Sequence, residues 1–215
     1  MSSKQKTSRS GKRAKGGGGI NPGDIAETQE LLTLRGAKPT EVGDVLNVSK
    51  TIADEYGVTV GEFDLATLKG RKAGSAMAYS DGTNIGFNSK YFDAAKMDTA
   101  MDNCIAAGWH PGRGNKSGIE SVAAHEYGHV LTEIAGRKMG ISGIDSIDQA
   151  ATRIVTEARK LTSHRGVVQL ARAISGYATT TNAEAVAEAF ADVYCNGRNA
   201  RFESRAIINT LKKYL

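Results

Sequence analysis

Apolar residues recur every three or four positions over much of this chain, the spacing of helices that bury one side. After Pro39 and Thr40 they fall on one face as Val42, Val45, Leu46, Ile52, Ala53 and Tyr56, and Gly57 stops the pattern. Val58 to Leu68 loses that period and reads as short extended segments. A hairpin pattern follows: Ala76 to Tyr79, the turn Ser80-Asp81-Gly82, then Thr83 to Phe87 with Ile85 and Phe87 on one face. Residues 98 to 116 carry no clear period, and Gly108-Trp109-His110-Pro111-Gly112-Arg113-Gly114 reads as a loop.

Helical spacing returns at Ser117, where Glu120 three residues on completes a capping box. Ile119, Ala123, Val130 and Ile134 form the apolar stripe of this helix, and Arg137, Lys138 and Gly140 close it. Ser146 and Gln149 predict a second capping box, opening a helix striped by Ile147, Ala150, Ala151, Ile154, Ala158 and Leu161. The stripe resumes through Val167, Leu170, Ala171 and Ile174 after a break near Gly166. Asn182 is expected to cap a helix from Ala183 to Tyr194, ended by Asn196-Gly197. A last amphipathic helix carries Phe202, Ile207, Ile208, Leu211 and Leu215.

Composition adds a tail. Residues 1–23 are mostly Ser, Lys, Arg and Gly, which cannot bury enough surface to offset ordering entropy, so a disordered segment is expected before one domain over 24–215. The length of 215 residues and 40% apolar content suffice for one core. Six positive charges and no acid lie in residues 1–19, so the formal +5 belongs to the tail and the rest of the chain sums to −1. That points to an arm for nucleic acid or another acidic partner, or to a solvated tail; no aromatic side chain is interleaved for base stacking. No apolar run is long enough to span a membrane and the N-terminus lacks a signal-peptide hydrophobic region, so a cytoplasmic or virion-associated protein is expected. Cys104 and Cys195 form no C-x-x-C pair, which predicts two unpaired thiols.

The stretch His125-Glu126-Tyr127-Gly128-His129 changes the picture most. Histidines four apart on a helix stand one above the other and can hold one ion, with Glu126 beside it where a carboxylate can take a proton from water. With 4 His in the chain, the number of such patterns expected by chance is about 0.004, so the match carries information. Catalytic zinc takes three protein ligands, and the third must come from Glu184, Glu188, Asp192, His164 or His110. The first three lie four and four apart on one helical face, where like charges repel and a cation would neutralise them. Glu184 would then bind the metal, with Glu188 one turn on orienting a ligating imidazole; the competing reading is a solvated acidic face. His110 reads as a loop residue rather than a ligand, and the glycines around it have the wrong spacing for a phosphate loop.

Taken with HEYGH, the run Tyr177-Ala-Thr-Thr-Thr-Asn182-Ala-Glu184-Ala-Val-Ala-Glu188-Ala-Phe190 resembles the catalytic domain of anthrax lethal factor and the lethal-factor-like metallopeptidases of bacteria and phages. That family carries HEFGH on one helix, a tyrosine seven residues before a glutamate zinc ligand, and a second glutamate four residues after it; both intervals match here. The resemblance covers roughly Ala76 to Ala191 and leaves out the basic tail and the C-terminal helix. It implies Zn2+ held by His125, His129 and Glu184, with Glu126 as general base, Tyr177 as the phenol that stabilises the oxyanion, and Glu188 behind an imidazole. Asp192 has no counterpart. Lethal factor's large domains for cell entry and substrate choice have none either, so no particular substrate or toxin role is implied.

The expected fold is therefore α/β (α+β) and zincin-like, a small twisted sheet beside the metal-bearing helix with the glutamate helix packed across it. The expected activity is zinc-dependent endopeptidase action on a protein or peptide. Two other readings stay open. One is a nucleic-acid-tethered protease resembling the SprT type, with a third ligand such as His164. The other is a non-catalytic virion or scaffold component whose metal only staples two helices.

Overall fold

The computed structural model describes residues 33, 36–58, 60, 62–68 and 74–215. The basic tail and its proposed acidic partner lie outside that range. The architecture is mixed α/β and mostly helical, with one small sheet.

Helix α1 (Pro39–Tyr56) starts with Pro at its first turn and ends where the Gly57 N–H bonds Ala53 O at 2.9 Å. Three strands follow: β1 (Phe63–Ala66), β2 (Ala78–Ser80) and β3 (Ile85–Asn88), in the order β1-β3-β2. The predicted hairpin is the antiparallel β2–β3 pair, with Ala78 opposite Phe87 and Ser80 opposite Ile85. Its turn is fastened by Asp81, whose Oδ1 accepts from the N–H groups of Thr83 (2.9 Å) and Asn84 (2.7 Å). The strand β1 adds to β3 in parallel, and β3 is buried along its whole length. Phe63 and Phe87 stack on each other, and Phe63 meets Tyr127 edge-on, joining the sheet to the helix that carries the H-E-x-x-H motif.

Helix α2 (Ala94–Ala106) runs into the region without a clear period and is capped by Asp93 Oδ1 accepting from Lys96 N. Only Met97 and Met101 of this helix are buried, which explains the faint periodicity. Helix α3 (Gly118–Lys138) opens with both halves of the expected capping box between Ser117 and Glu120. It is buried nearly all round: Ile119, Ala123 and Val130 are inside as expected, but so are Val122, Ala124, Tyr127 and Leu131.

Two expected caps are corrected. In α4 (Ser146–Arg159), Asp145 precedes the helix without a side-chain cap bond, and Ser146 Oγ donates to Glu133 Oε2 at 2.6 Å. The hydroxyl serves the neighbouring helix instead of its own. Helix α5 (Val167–Ile174) follows the predicted break, and a short 3-10 turn covers Tyr177–Thr179. In α6 (Asn182–Asn196) the cap is Thr181, whose side chain accepts from Glu184 N at 3.1 Å, while Asn182 Nδ2 donates to Thr152 Oγ1 at 3.0 Å. Helix α7 (Phe202–Leu211) runs into a terminal 3-10 turn.

One hydrophobic cluster runs from Ala37 to Leu211. Its tightest point is the crossing of α3 and α6. A Cβ on Gly128 would stand 2.6 Å from Ala187 Cα, so only glycine lets the two backbones approach this closely. Alanines at 183, 185, 187, 189 and 191 of α6 are buried, and Ala187 is the one that Gly128 meets. Cys104 and Cys195 are unpaired, as expected. Among the described residues no helix is long and apolar enough to cross a membrane.

Candidate metal centre

The close crossing at Gly128 and Ala187 brings together the residues that flank it on each helix. His125 and His129 stand one turn apart on α3, and Glu184 and Glu188 one turn apart on α6. One nitrogen from each of His125 and His129 and one oxygen of Glu184 lie within 4.8 Å of one another. His125 Nε2 is 3.1 Å and His129 Nε2 3.4 Å from Glu184 Oε2. A tetrahedral ion with bonds of about 2.0–2.1 Å would hold its ligand atoms about 3.3 Å apart, so this spacing suits one metal ion. Glu184 Oε2 is moreover buried without a well-aligned hydrogen bond, its nearest partners being the two Nε2 atoms, a costly state for a carboxylate oxygen unless a cation, either a protonated imidazole or a metal ion, satisfies it. These three residues can hold a metal ion.

The charge states agree. Burial works to raise the Glu184 pKa, but pairing with His125 and His129 overrides it and holds the carboxyl well below its usual range. Glu184 is thus an ionised, acceptor-only group. Burial likewise opposes a charged His125, yet in the metal-free chain pairing with Glu184 and Glu188 raises its pKa well above the ordinary imidazole value.

Glu188 lies behind the imidazoles, 1% exposed. Its Oε1 is 2.8 Å from Nδ1 of His125, and its Oε2 accepts from Ser175 Oγ at 2.7 Å. With His125 Nδ1–H donating to Glu188, Nε2 is the atom that faces Glu184, and loss of its proton leaves a lone pair in the orientation a metal ligand requires. Burial favours the neutral acid, but hydrogen bonds from His110 and His125 outweigh it, and the Glu188 pKa is lowered to about 2.

Glu126 is buried on the same turn as the histidines. Burial pushes its carboxyl above the ordinary value, while His125 and His129 pull the other way. Tyr177 reaches the cluster from the 3-10 turn before α6. Its hydroxyl donates to Glu184 Oε1 at 3.3 Å and its ring lies 5.8 Å from that of His125. Burial and the Glu184 charge raise its pKa, so the phenol stays protonated. Glu184, His125 and His129 keep 12–20% of their side-chain surface exposed, so the cluster is reachable from solvent.

The other ligand candidates are placed elsewhere. Asp192 is buried and accepts from Asn196 Nδ2, Arg201 N and Ser204 Oγ, anchoring the start of α7. His164 Nε2 lies 2.8 Å from Glu203 Oε1, outside the metal cluster. His110 is in the expected loop and outside the ligand triad, but its Nδ1 is 2.8 Å from Glu188 Oε1. That contact and the Ser175 bond were not legible from spacing. The available signal was a loop concentrating the lone tryptophan and one of four histidines.

No protein-family model and no solved structure matches this chain.

Proposed function

We propose that this protein is a zinc-dependent endopeptidase. The observation that carries the reading is the convergence of His125 Nε2, His129 Nε2 and the buried Glu184 Oε2, with Glu126 buried beside them. The donor set of two imidazoles and one carboxylate suits zinc. The sequence resemblance to lethal-factor-like metallopeptidases points the same way and supplies the zincin-like assignment.

His125, His129 and Glu184 would hold the ion. Zinc in such a site supplies a Lewis acid and makes water a nucleophile at neutral pH. The remaining steps belong to the chain. Glu126, with its pKa raised by burial, takes the proton from the attacking water and delivers it to the leaving amine. Tyr177, a neutral phenol at the rim, donates to the oxygen that gains charge as the scissile carbonyl becomes tetrahedral. Glu188 keeps His125 in the tautomer that leaves Nε2 free. The SprT-like alternative requires a ligand such as His164, and the pairing of His164 with Glu203 speaks against it.

The test is cleavage of a peptide library by the wild-type chain and by Glu126→Gln. Loss of a proton acceptor lowers turnover by about 10²–10⁴-fold, while the ligands and bound zinc stay in place. Cleavage that persists unchanged in Glu126→Gln contradicts this mechanism, and a chain that holds zinc but cleaves nothing leaves the stapled-scaffold reading standing.

A further inference from the structure

Glu188 Oε1 accepts from two imidazoles, not one. His110 Nδ1 and His125 Nδ1 each lie 2.8 Å from that oxygen, while Oε2 takes the Ser175 hydroxyl at 2.7 Å. The carboxylate is buried with an imidazole Nδ1 at hydrogen-bond distance twice on one oxygen and a hydroxyl on the other, an arrangement that is satisfied when each Nδ1 carries its proton. His125 alone would leave the carboxylate one fixed bond on that oxygen. The second donor adds another fixed bond to the same oxygen.

His110 also sits on a strap. The loop before α3 is joined to the turn carrying Tyr177 by two backbone bonds, Gly176 N to Gly108 O at 2.9 Å and Tyr177 N to Trp109 O at 3.0 Å. The approach is close enough that a Cβ on Gly176 would stand 2.7 Å from the Trp109 ring. Asn196 Nδ2 donates to Gly112 O at 2.6 Å, tying the far side of the same loop to the end of α6. The His110 ring is 5.2 Å from that of Tyr177. His110 is therefore the point where the strap holding Tyr177 meets the carboxylate holding His125.

We propose that His110 is a positioning residue of the metal centre: through Glu188 it fixes the His125 ring for the ion, and through its loop it couples Tyr177 to metal occupancy. This rests on reading the triad as a zinc site. Removing a hydrogen-bonding partner behind a metal ligand typically weakens metal affinity by about 10–100-fold. The strap also contains the chain's single tryptophan, 5.8 Å from the Tyr177 ring, so its emission reports the loop without labelling.

The experiment is a zinc titration of the full chain against a chromophoric chelator, following Trp109 fluorescence in parallel, for wild type, His110→Ala and His110→Asn. The Asn amide nitrogen occupies the position of histidine Nδ1 and restores the donor. The expected result is a zinc dissociation constant raised about 10–100-fold in His110→Ala and nearly restored in His110→Asn, with the zinc-dependent emission change lost only in the first. Should His110→Ala melt below the assay temperature, His110→Phe, which keeps a ring of similar bulk but carries no nitrogen, replaces it as the donor-less variant. Equal zinc affinity in all variants, or His110→Asn as weak as the donor-less variant, overturns the proposal while leaving the metal site intact. A wild-type chain that takes up no zinc overturns both.

Discussion

Three acids stand four residues apart on α6, and packing gives each a different use. Glu184 faces two imidazoles with an oxygen that has no well-aligned hydrogen bond, Glu188 gathers three donors, and Asp192 secures the start of α7. A separation of pH effects follows. In the metal-free chain the Glu188 pKa is depressed below the unfolded value, so its stabilising contribution is present above pH about 4.5 and is lost as pH falls toward about 2. The His125 pKa is raised, so its contribution is complete below the ordinary imidazole value and is lost as pH climbs through the folded-state value. Zinc must displace the His125 proton, so metal uptake should release protons and tighten as pH rises. Calorimetric titration in two buffers of different ionisation heat measures that release; uptake without proton release contradicts the pairing described here.

The spacing of the histidines and of Glu184 with Glu188 was readable because a helix repeats every 3.6 residues and the chemistry needs side chains one turn apart. The role of His110 was not, because its partner lies 78 positions away and the contact depends on two loops meeting. Asp192 shows the converse. Its spacing made it a plausible ligand, yet its oxygens are consumed by α7, and no period along the sequence could separate it from its two neighbours.

At the level of elements, the crossing of α3 and α6 is what turns four separate side chains into a centre. Gly128→Ala places a Cβ 2.6 Å from the Ala187 backbone and should cost about 1–3 kcal/mol by overpacking. Because the helices would part at the point flanked by the ligands, zinc affinity should fall together with the denaturant midpoint. A variant that lost stability and bound zinc as tightly as wild type would show that the crossing does not set the ligand spacing. Ser117→Ala is a control in kind. It removes the cap of α3 and a 2.7 Å bond to Asp44, and should cost about 1 kcal/mol in a urea titration without altering the centre. The capping box was legible because both halves are local. The Ser146 box failed because Glu133, on another helix, offered its hydroxyl a better acceptor.

For the whole molecule, the candidate centre links α3 to α6, so a metal bound there would add to global stability. At free zinc 100 times the dissociation constant, the gain is about 2.7 kcal/mol, which for a domain of this size is about 5–10 °C in Tm. Chelation should remove that increment, and a thermal melt with and without chelator measures it. The coarse architecture, helices with one hairpin, was readable from apolar spacing. The parallel pairing of β1 with β3 was not, since it joins segments whose adjacency no local pattern encodes.

The central claim is that this chain holds zinc through His125, His129 and Glu184. Elemental analysis of the purified 215-residue chain, beside a His129→Ala Glu184→Ala double variant, tests it directly. The account predicts about one zinc per wild-type chain and essentially none in the variant. A folded wild-type chain that holds no zinc even after zinc is supplied, or a variant that retains a full equivalent, would contradict it.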